Sequence, residues 1–461
     1  MQAISEPDIR ARIERDNPWW NPQAPPLPEA GFRRRVYLEP FQKLALNFSV
    51  RRAAILLGPR RVGKTVMIKQ TVYEAMSQGI DPANILYASI DTPLYSGLSL
   101  ESFLKFLPGA PGSSQCVVIF DEIQYLKDWE THLKDLIDSY PHIKFIASGS
   151  AAAALRLKSR ESGAGRFSEF MLPPLTFCEL LEFTDSVDLV EQLGPKEFRA
   201  RDILELNKSF IDYLNFGGYP EAVLNESIRD NPDQFIRTDI IEKVLLKDLP
   251  SLYGINDIQE LNKLFMFLAY NAGSEASLSN ISMSSGLAAP TIKRYIEYLE
   301  SAFLVMKVST VDDNCRTLQR ERNFKIYLNN PSMRAALFAP VTAEDTQLIG
   351  HLAESAVFSQ WQHAPSFRLL RYARWRNEGE VDVGCLGADN GKPSWIGEIK
   401  WSDRIRDNFD RETKAMQTLA RKHQTIGASF FTTKTITQAA DLEGRPLNIW
   451  PTALYCYIVR S

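Results

Sequence analysis

Gly58, Gly63, Lys64 and Thr65 stand in the spacing G-x-x-x-x-G-K-T within the stretch GPRRVGKT. These residue types suit a loop that wraps an anion. Glycine lets backbone N–H groups curl round phosphate oxygens with no Cβ in the way. A lysine reaches the outer phosphates, and a threonine hydroxyl is a hard oxygen ligand for Mg2+. Pro59, Arg60, Arg61 and Val62 complete the loop, so residues 58–65 together are the expected cradle for the phosphates of ATP.

A second group lies 57 residues beyond Lys64, where the apolar run Val117–Phe120 ends in Asp121 and Glu122. A carboxylate at the carboxyl end of a buried strand can hold Mg2+, and the next one can polarise an attacking water. Asp121 is therefore expected at the metal with Thr65, and Glu122 as the base. A third apolar run, HIKFIASGSA, ends at Ser148 to Ser150. Ser148 suits a sensor of the terminal phosphate or its water, and equally the N-cap of the helix that SAAAALRL predicts. Arg166, in a glycine-flanked loop, suits an arginine reaching phosphate in its own or a neighbouring subunit, and equally a surface arginine.

The C-terminal third offers a different chemistry. Glu354 lies in a helical pattern, Asp382 in the second of two strand-like runs, and Glu398 and Lys400 in GEIKW. On a strand, residues two apart share a face, so E-x-K places an acid beside a lysine. Carboxylates such as Asp382 and Glu398 can hold Mg2+ against a scissile phosphate while the lysine orients water. Alternating charges on an edge strand would read the same way. Arg368, Arg371, Arg374 and Arg376, with Tyr372 and Trp375, suit either a nucleic-acid face or a solvated one.

The elements that must position these groups follow from periodicity. A buried strand over Ala53–Leu57, a loop, and a helix from about Lys64 frame the first site. Residues 177–250 read as helical, with GGYP a tight turn, as expected for a lid over a nucleotide. Residues from about Asp257 to Lys307 read as three helices and then a strand, with Gly286 at the turn and Ile292, Ile296 and Leu299 as a buried stripe. That is a winged-helix pattern. Lys293, Arg294, Arg316, Arg320 and Arg322 offer phosphate contacts, while Glu297 and Glu300 on the same helix make a protein-docking or structural role at least as apt.

Composition bounds the rest. A length of 461 residues implies two to four domains, and 44% hydrophobic with 24% charged residues is a globular composition. A net charge of -3 confines any nucleic-acid site to a local patch. Cys116, Cys178, Cys315, Cys385 and Cys456 form no CxxC pair, as expected of reduced thiols in a cytoplasm. The acidic N-terminus lacks a signal-peptide pattern, and no apolar run is long enough to span a membrane, so a soluble cytoplasmic chain is expected.

The run GPRRVGKT, VVIFDEIQ, IASGSA, GAGRF, LPPLTFCEL and GGYPEAV, with NPWW at Asn17 to Trp20, resembles a family of bacterial and archaeal ATP-binding proteins of the AAA+ type. The resemblance implies a five-stranded parallel sheet, a Walker A loop at Gly58 to Thr65, a Walker B pair at Asp121 and Glu122, and a sensor at Ser148 or Ser150. The C-terminal part is similar to the PD-(D/E)XK nuclease superfamily. The expected fold class is α/β: a parallel P-loop AAA+ core (51–176) after an N-terminal segment (1–50), a helical lid (177–250), a winged helix (251–328) and a C-terminal α/β nuclease-like domain (329–461). The expected function is ATP binding and hydrolysis with Mg2+, coupled to C-terminal modules that act on DNA or RNA. The alternative is a nucleotide-dependent switch for protein partners with an inactive nuclease fold. Both are compatible with an oligomer, with Arg166 acting in cis or in trans.

Overall fold

Five short strands make the first sheet: β1 (Ala53–Leu57), β2 (Ile85–Ser89), β3 (Cys116–Asp121), β4 (Ile143–Gly149) and β5 (Phe167–Met171). They lie in the order β2-β3-β4-β1-β5 and every pairing is parallel. Strands β1, β3 and β4 are buried along their whole length, as required when helices cover both faces of a parallel sheet. The computed structural model describes residues 5–109, 115–149, 165–195, 197–229, 231, 233–255, 257–311, 323–361, 370–375, 379–387 and 391–459.

The register brings the reactive strand ends together. Leu56 lies beside Ser148 and Leu57 beside Gly149, while Ser89 lies beside Asp121. The loop after β1 therefore opens next to the ends of β4 and β3, with helix Lys64–Ser77 starting immediately beyond it. The chain divides into two compact units, Met1–Leu172 and Pro173–Ser461, and this sheet belongs to the first.

The second unit departs from an all-helical reading of 177–250. Helix Phe177–Phe183, fixed by a capping box between Thr176 and Glu179, is followed by an antiparallel hairpin of β6 (Val190–Gly194) and β7 (Glu197–Ala200). The alternation in VEQLG and EFRA, with Gly194-Pro195 at the turn, is a strand signal that the helical periodicity on either side masks. Helix Ile203–Phe216 resumes the expected pattern.

Helices Ile258–Tyr270, Leu278–Ser285 and Ala289–Ser301 come next, the second ending at Gly286 in the left-handed region at φ 76°. Ile292, Ile296 and Leu299 are buried, and Tyr295 joins them. Among the described residues nine strands of this unit form one mixed sheet. β8 (Glu275–Ala276), β9 (Val305–Val311) and β10 (Phe324–Leu328) continue through a parallel β9–β11 pairing into β11 (Leu370–Trp375), β12 (Gly379–Leu386), β13 (Pro393–Glu398), β14 (Ala428–Thr433), β15 (Gln438–Asp441) and β16 (Pro446–Pro451). The strands read from sequence as a wing and those read as a nuclease-like domain thus share one sheet. Among the described residues no helix is long and apolar enough to cross a membrane. Cys116, Cys178, Cys385 and Cys456 are buried thiols, and Cys315 lies outside the described residues.

Candidate functional site

The loop after β1 is shaped by close approach. A Cβ on Gly58 would stand 2.2 Å from the Leu172 carbonyl oxygen. Gly63 turns at φ 96° into the left-handed region, and helix Lys64–Ser77 starts at the next residue, so its N–H groups and positive end point along the loop. Arg61 is also left-handed, at φ 63°. Lys64 is buried, and its Nζ donates to the carbonyls of Gly58 at 3.1 Å and Pro59 at 2.7 Å. Val62 is buried beneath the loop, its carbonyl accepting from Arg35 Nη1 at 2.7 Å, and Arg60 donates to the Tyr125 hydroxyl at 3.0 Å.

Asp121, at the end of β3 and almost fully buried, gathers four donors. Its Oδ2 accepts from the Thr65 hydroxyl at 2.8 Å and from the Tyr87 hydroxyl at 2.8 Å. Its Oδ1 accepts from the Ser148 hydroxyl and from the Glu122 N–H at 3.2 Å. The Thr65 bond ties the phosphate loop to the carboxylate, and the threonine and aspartate oxygens are the hard donors that Mg2+ takes, so the residues fit that ion.

Glu122 sits at φ 53°, ψ 43°, a left-handed conformation that costs a non-glycine residue roughly 1–2 kcal/mol. Its N–H also donates to Ser148 Oγ at 3.1 Å, and its carboxylate accepts from Gln124 Nε2. Ser148 thus binds the Asp121–Glu122 corner. The helix-cap alternative for it, and the Ser150 position, fall on residues 150–164, outside the described residues.

Arg166 is not brought to this loop. It precedes β5, whose Phe167 lies beside Ala53 at the amino end of β1, one strand length of about 16 Å from Gly58. There it pairs with Asp138, Nε to Oδ1 at 2.6 Å, half exposed. Parallel pairing puts a residue that precedes one strand at the opposite end from a loop that follows its neighbour, a fact absent from local sequence. Tyr87 is a donor to Asp121 that sequence reasoning missed. Its signal was a tyrosine two places from the end of an otherwise apolar strand.

In the second unit Glu354, Asp382, Glu398 and Lys400 do converge. Lys400 Nζ lies 3.0 Å from Asp382 Oδ2 and 2.6 Å from Glu398 Oε1, and the Ile399 N–H donates to Asp382 Oδ2 at 2.9 Å. Three unanticipated residues join them. Lys325, the second residue of β10 and 5% exposed, lies 2.5 Å from Glu380 Oε1, 3.6 Å from Glu354 Oε2 and 3.8 Å from Asp382 Oδ1. Tyr327 donates to Glu354 Oε2 at 2.9 Å. A lysine inside the buried strand FKIYL was the available signal.

Electrostatics follow from this packing. Burial, with the Asp382 charge beside them, pushes the Glu354 carboxyl up to about 7 and that of Glu398 up to about 8. Burial also works against the charge of Asp382, but Lys400, Lys325 and the Ile399 N–H hold its carboxyl below the usual range. Lys325 and Lys400 stay above the usual lysine range despite burial because carboxylates surround them. Ammonium groups therefore occupy the centre of the cluster. Among the described residues no set of three or more His, Cys, Asp or Glu side chains is arranged to hold a metal ion. In this arrangement Lys400 and Lys325 pair with the Asp382 and Glu398 oxygens that Mg2+ would take.

Among the described residues, three of the basic side chains named for nucleic-acid contact have partners. Tyr372 is fully buried, because alternation along β11 turns it into the core, and its hydroxyl donates to Glu275 Oε2 at 3.0 Å, so it offers no ring for stacking. Arg374 pairs with Glu275 at 2.8 Å, Arg371 donates to the Leu370 carbonyl, and Lys293 lies 4.0 Å from Glu297. Arg316, Arg320, Arg322, Arg368, Arg376 and the Trp375 side chain lie outside the described residues.

Known proteins resemble parts of the chain. An uncharacterized protein of Haemophilus influenzae is 28% identical over 267 residues, 56% of this chain and 62% of its own length. One of Methanocaldococcus jannaschii is 24% identical over 321 residues, 66% of each. The chain thus spans about two thirds of the length of the curated relatives it matches. Among solved structures, the Walker-type ATPase of Pyrococcus abyssi is 15% identical with a TM-score of 0.40, covering 69% of this chain and 99% of that one. The Aeropyrum pernix ORC1 protein, solved in complex with DNA, is 14% identical with a TM-score of 0.31, covering 72% and 97%. Residues 207–345 match a domain of unknown function, DUF8612. Residues 50–181, which carry the phosphate loop, Asp121 and Glu122, match the model of an AAA domain and have the parallel α/β fold of a P-loop ATPase.

Proposed function

We propose that the chain binds ATP with Mg2+ at Gly58–Thr65 and hydrolyses it. The observation that carries this reading is the 2.8 Å bond from Thr65 to Asp121, which joins a phosphate-type loop to a carboxylate, with a second carboxylate at the next residue. Loop N–H groups and the start of helix Lys64–Ser77 bind the phosphates, and Lys64 exchanges its two carbonyl partners for phosphate oxygens. Thr65 and Asp121 hold the ion, which when bound polarises the phosphate and neutralises its charge. Glu122 orients a water and takes its proton as the water attacks the terminal phosphorus. Ser148 keeps Glu122 and Asp121 in register. The products are ADP and phosphate.

Nucleotide state is then relayed to the lid (177–250), winged-helix (251–328) and nuclease-like (329–461) segments. The lysine-filled carboxylate cluster favours a second reading of those modules, as a switch that binds protein partners without cleaving nucleic acid. Buried thiols and a need for Mg-ATP suit a cytoplasmic setting. The test is ATP turnover by the full chain with Mg2+, alone and with single-stranded DNA, duplex DNA or RNA, with Lys64→Ala as the blank. Turnover that falls by at least about 100-fold in Lys64→Ala supports the ATPase reading, since charge stabilisation of this kind is worth that much. Equal rates in the two chains end it. Stimulation by one nucleic acid selects an action on nucleic acid, and flat rates select the protein switch.

A further inference from the structure

The Asn17–Trp20 segment has no part in the reaction just described, yet it is built onto the site. In the sheet order β2 stands at an end, so one side of it exposes backbone groups that need partners. Asn17, fully buried, supplies them. Its Nδ2 donates to the Tyr87 carbonyl at 2.8 Å and its Oδ1 accepts from the Tyr87 N–H at 2.7 Å, so one side-chain amide stands in for a neighbouring strand. Trp19 and Trp20 both donate indole N–H groups to the Ile85 carbonyl, at 3.0 and 2.8 Å.

The same segment closes a box round Lys69. This buried lysine sits on helix Lys64–Ser77, with its ammonium 3.3 Å from the centre of the Tyr87 ring and 5.3 Å from that of Trp19. Its Nζ donates to the Asp16 carbonyl at 3.3 Å. Tyr87 is thus held on three sides: its backbone by Asn17, its ring by Lys69, and its strand by β3. What it holds in turn is Asp121 Oδ2, the oxygen that also takes the Thr65 hydroxyl.

We propose that Tyr87 is a positioning residue for the Mg2+-binding carboxylate of Asp121, and that Asn17, Trp19 and Lys69 are its support, which makes the N-terminal segment part of the metal site. A carboxylate can rotate about its Cβ–Cγ bond, and a hard cation tolerates little misdirection of its oxygen ligands. The Tyr87 hydroxyl limits that freedom together with Thr65, Ser148 and the Glu122 N–H. Groups that orient metal ligands in this way are worth about 10- to 100-fold in metal affinity.

The inference rests on the ATPase reading, and the experiment separates the two. In the full chain, Tyr87→Phe removes the hydroxyl and leaves the ring under Lys69. Two quantities are read: binding of a non-hydrolysable ATP analogue in EDTA, followed by thermal shift, and the Mg2+ concentration that gives half of the further Mg2+-dependent shift. Tyr87→Phe is expected to leave the EDTA binding as in the parent and to raise the half-saturating Mg2+ at least about tenfold. Asn17→Ala is expected to move the same quantity in the same direction. Lys64→Ala is expected to lose the EDTA binding itself. Loss in Lys64→Ala with a parental Mg2+ requirement in Tyr87→Phe overturns the positioning role alone. If neither parent nor Lys64→Ala responds to the nucleotide, both proposals fall. Should Asn17→Ala fail to fold, the hydroxyl deletion at Tyr87 decides the matter.

Discussion

Replacing Lys325 by Met tests whether the ammonium is what holds the second unit's carboxylate cluster together. The substitution keeps most of the side-chain volume and removes one positive charge that lies within 3.8 Å of Glu354, Glu380 and Asp382. Swapping an entire buried ion pair for apolar groups can be harmless, but removing one partner leaves like charges facing each other, at a cost of about 3–5 kcal/mol. For a unit the size of Pro173–Ser461, about 2 °C per kcal/mol makes this a fall of roughly 6–10 °C at pH 8. The pH dependence has a definite sign. Glu354 and Glu398 are raised to about 7 and about 8, so between the unfolded carboxyl range and pH 8 the folded chain binds more protons than the unfolded one. Stability therefore declines as pH rises through 7 to 8. Without Lys325 the carboxyls gain protons more readily, and the deficit is expected to shrink at pH 5. Scanning calorimetry of the full chain at pH 5, 7 and 8 reads both effects. A deficit equal at pH 5 and pH 8 would mean lost packing rather than charge, and no deficit at any pH would refute the reasoning outright.

Three further substitutions, at two positions, probe the first unit. Gly58→Ala places a Cβ 2.2 Å from a backbone oxygen, so it is expected to cost about 1–3 kcal/mol and to abolish the thermal shift with nucleotide, whereas a parental melting temperature and nucleotide response would contradict the close approach. Glu122→Gln is expected to retain nucleotide while turnover drops about 100-fold or more, as for loss of a general base, and Glu122→Gly to be as inactive but about 1 kcal/mol more stable because its left-handed backbone is relieved; calorimetry and a turnover assay check the pair.

The parts of the molecule legible in its sequence are those whose cause is local. Ala53–Leu57 is a strand because five apolar residues precede a glycine loop, and Lys64 starts a helix because Gly63 turns the chain into it. The stripe Ile292, Ile296 and Leu299 is buried because helical period stacks those residues on one side. Lys400 does lie beside Glu398, but the strand ends at Glu398, so strand period is not what places it there. What stayed hidden depends on partners far along the chain. Arg166 and Gly58 are in touch with opposite ends of the same strand pair, and only the pairing β1–β5 reveals it. Lys325 reaches the cluster because β9, beside β10, adds to β11, a link between segments that local patterns assign to separate modules.

Both sites share this structure of dependence, and it bears on what each can do. At Asp121 the distant partners, Tyr87 and through it Asn17 and Lys69, are donors and supports, so they leave the carboxylate oxygens directed, near a lysine that donates to carbonyls which phosphate can replace. At Asp382 the distant partner is itself a cation, so the carboxylates that E-x-K brings together already have their countercharge. A motif names the residues that meet, but the chemistry is decided by the residue that arrives from elsewhere.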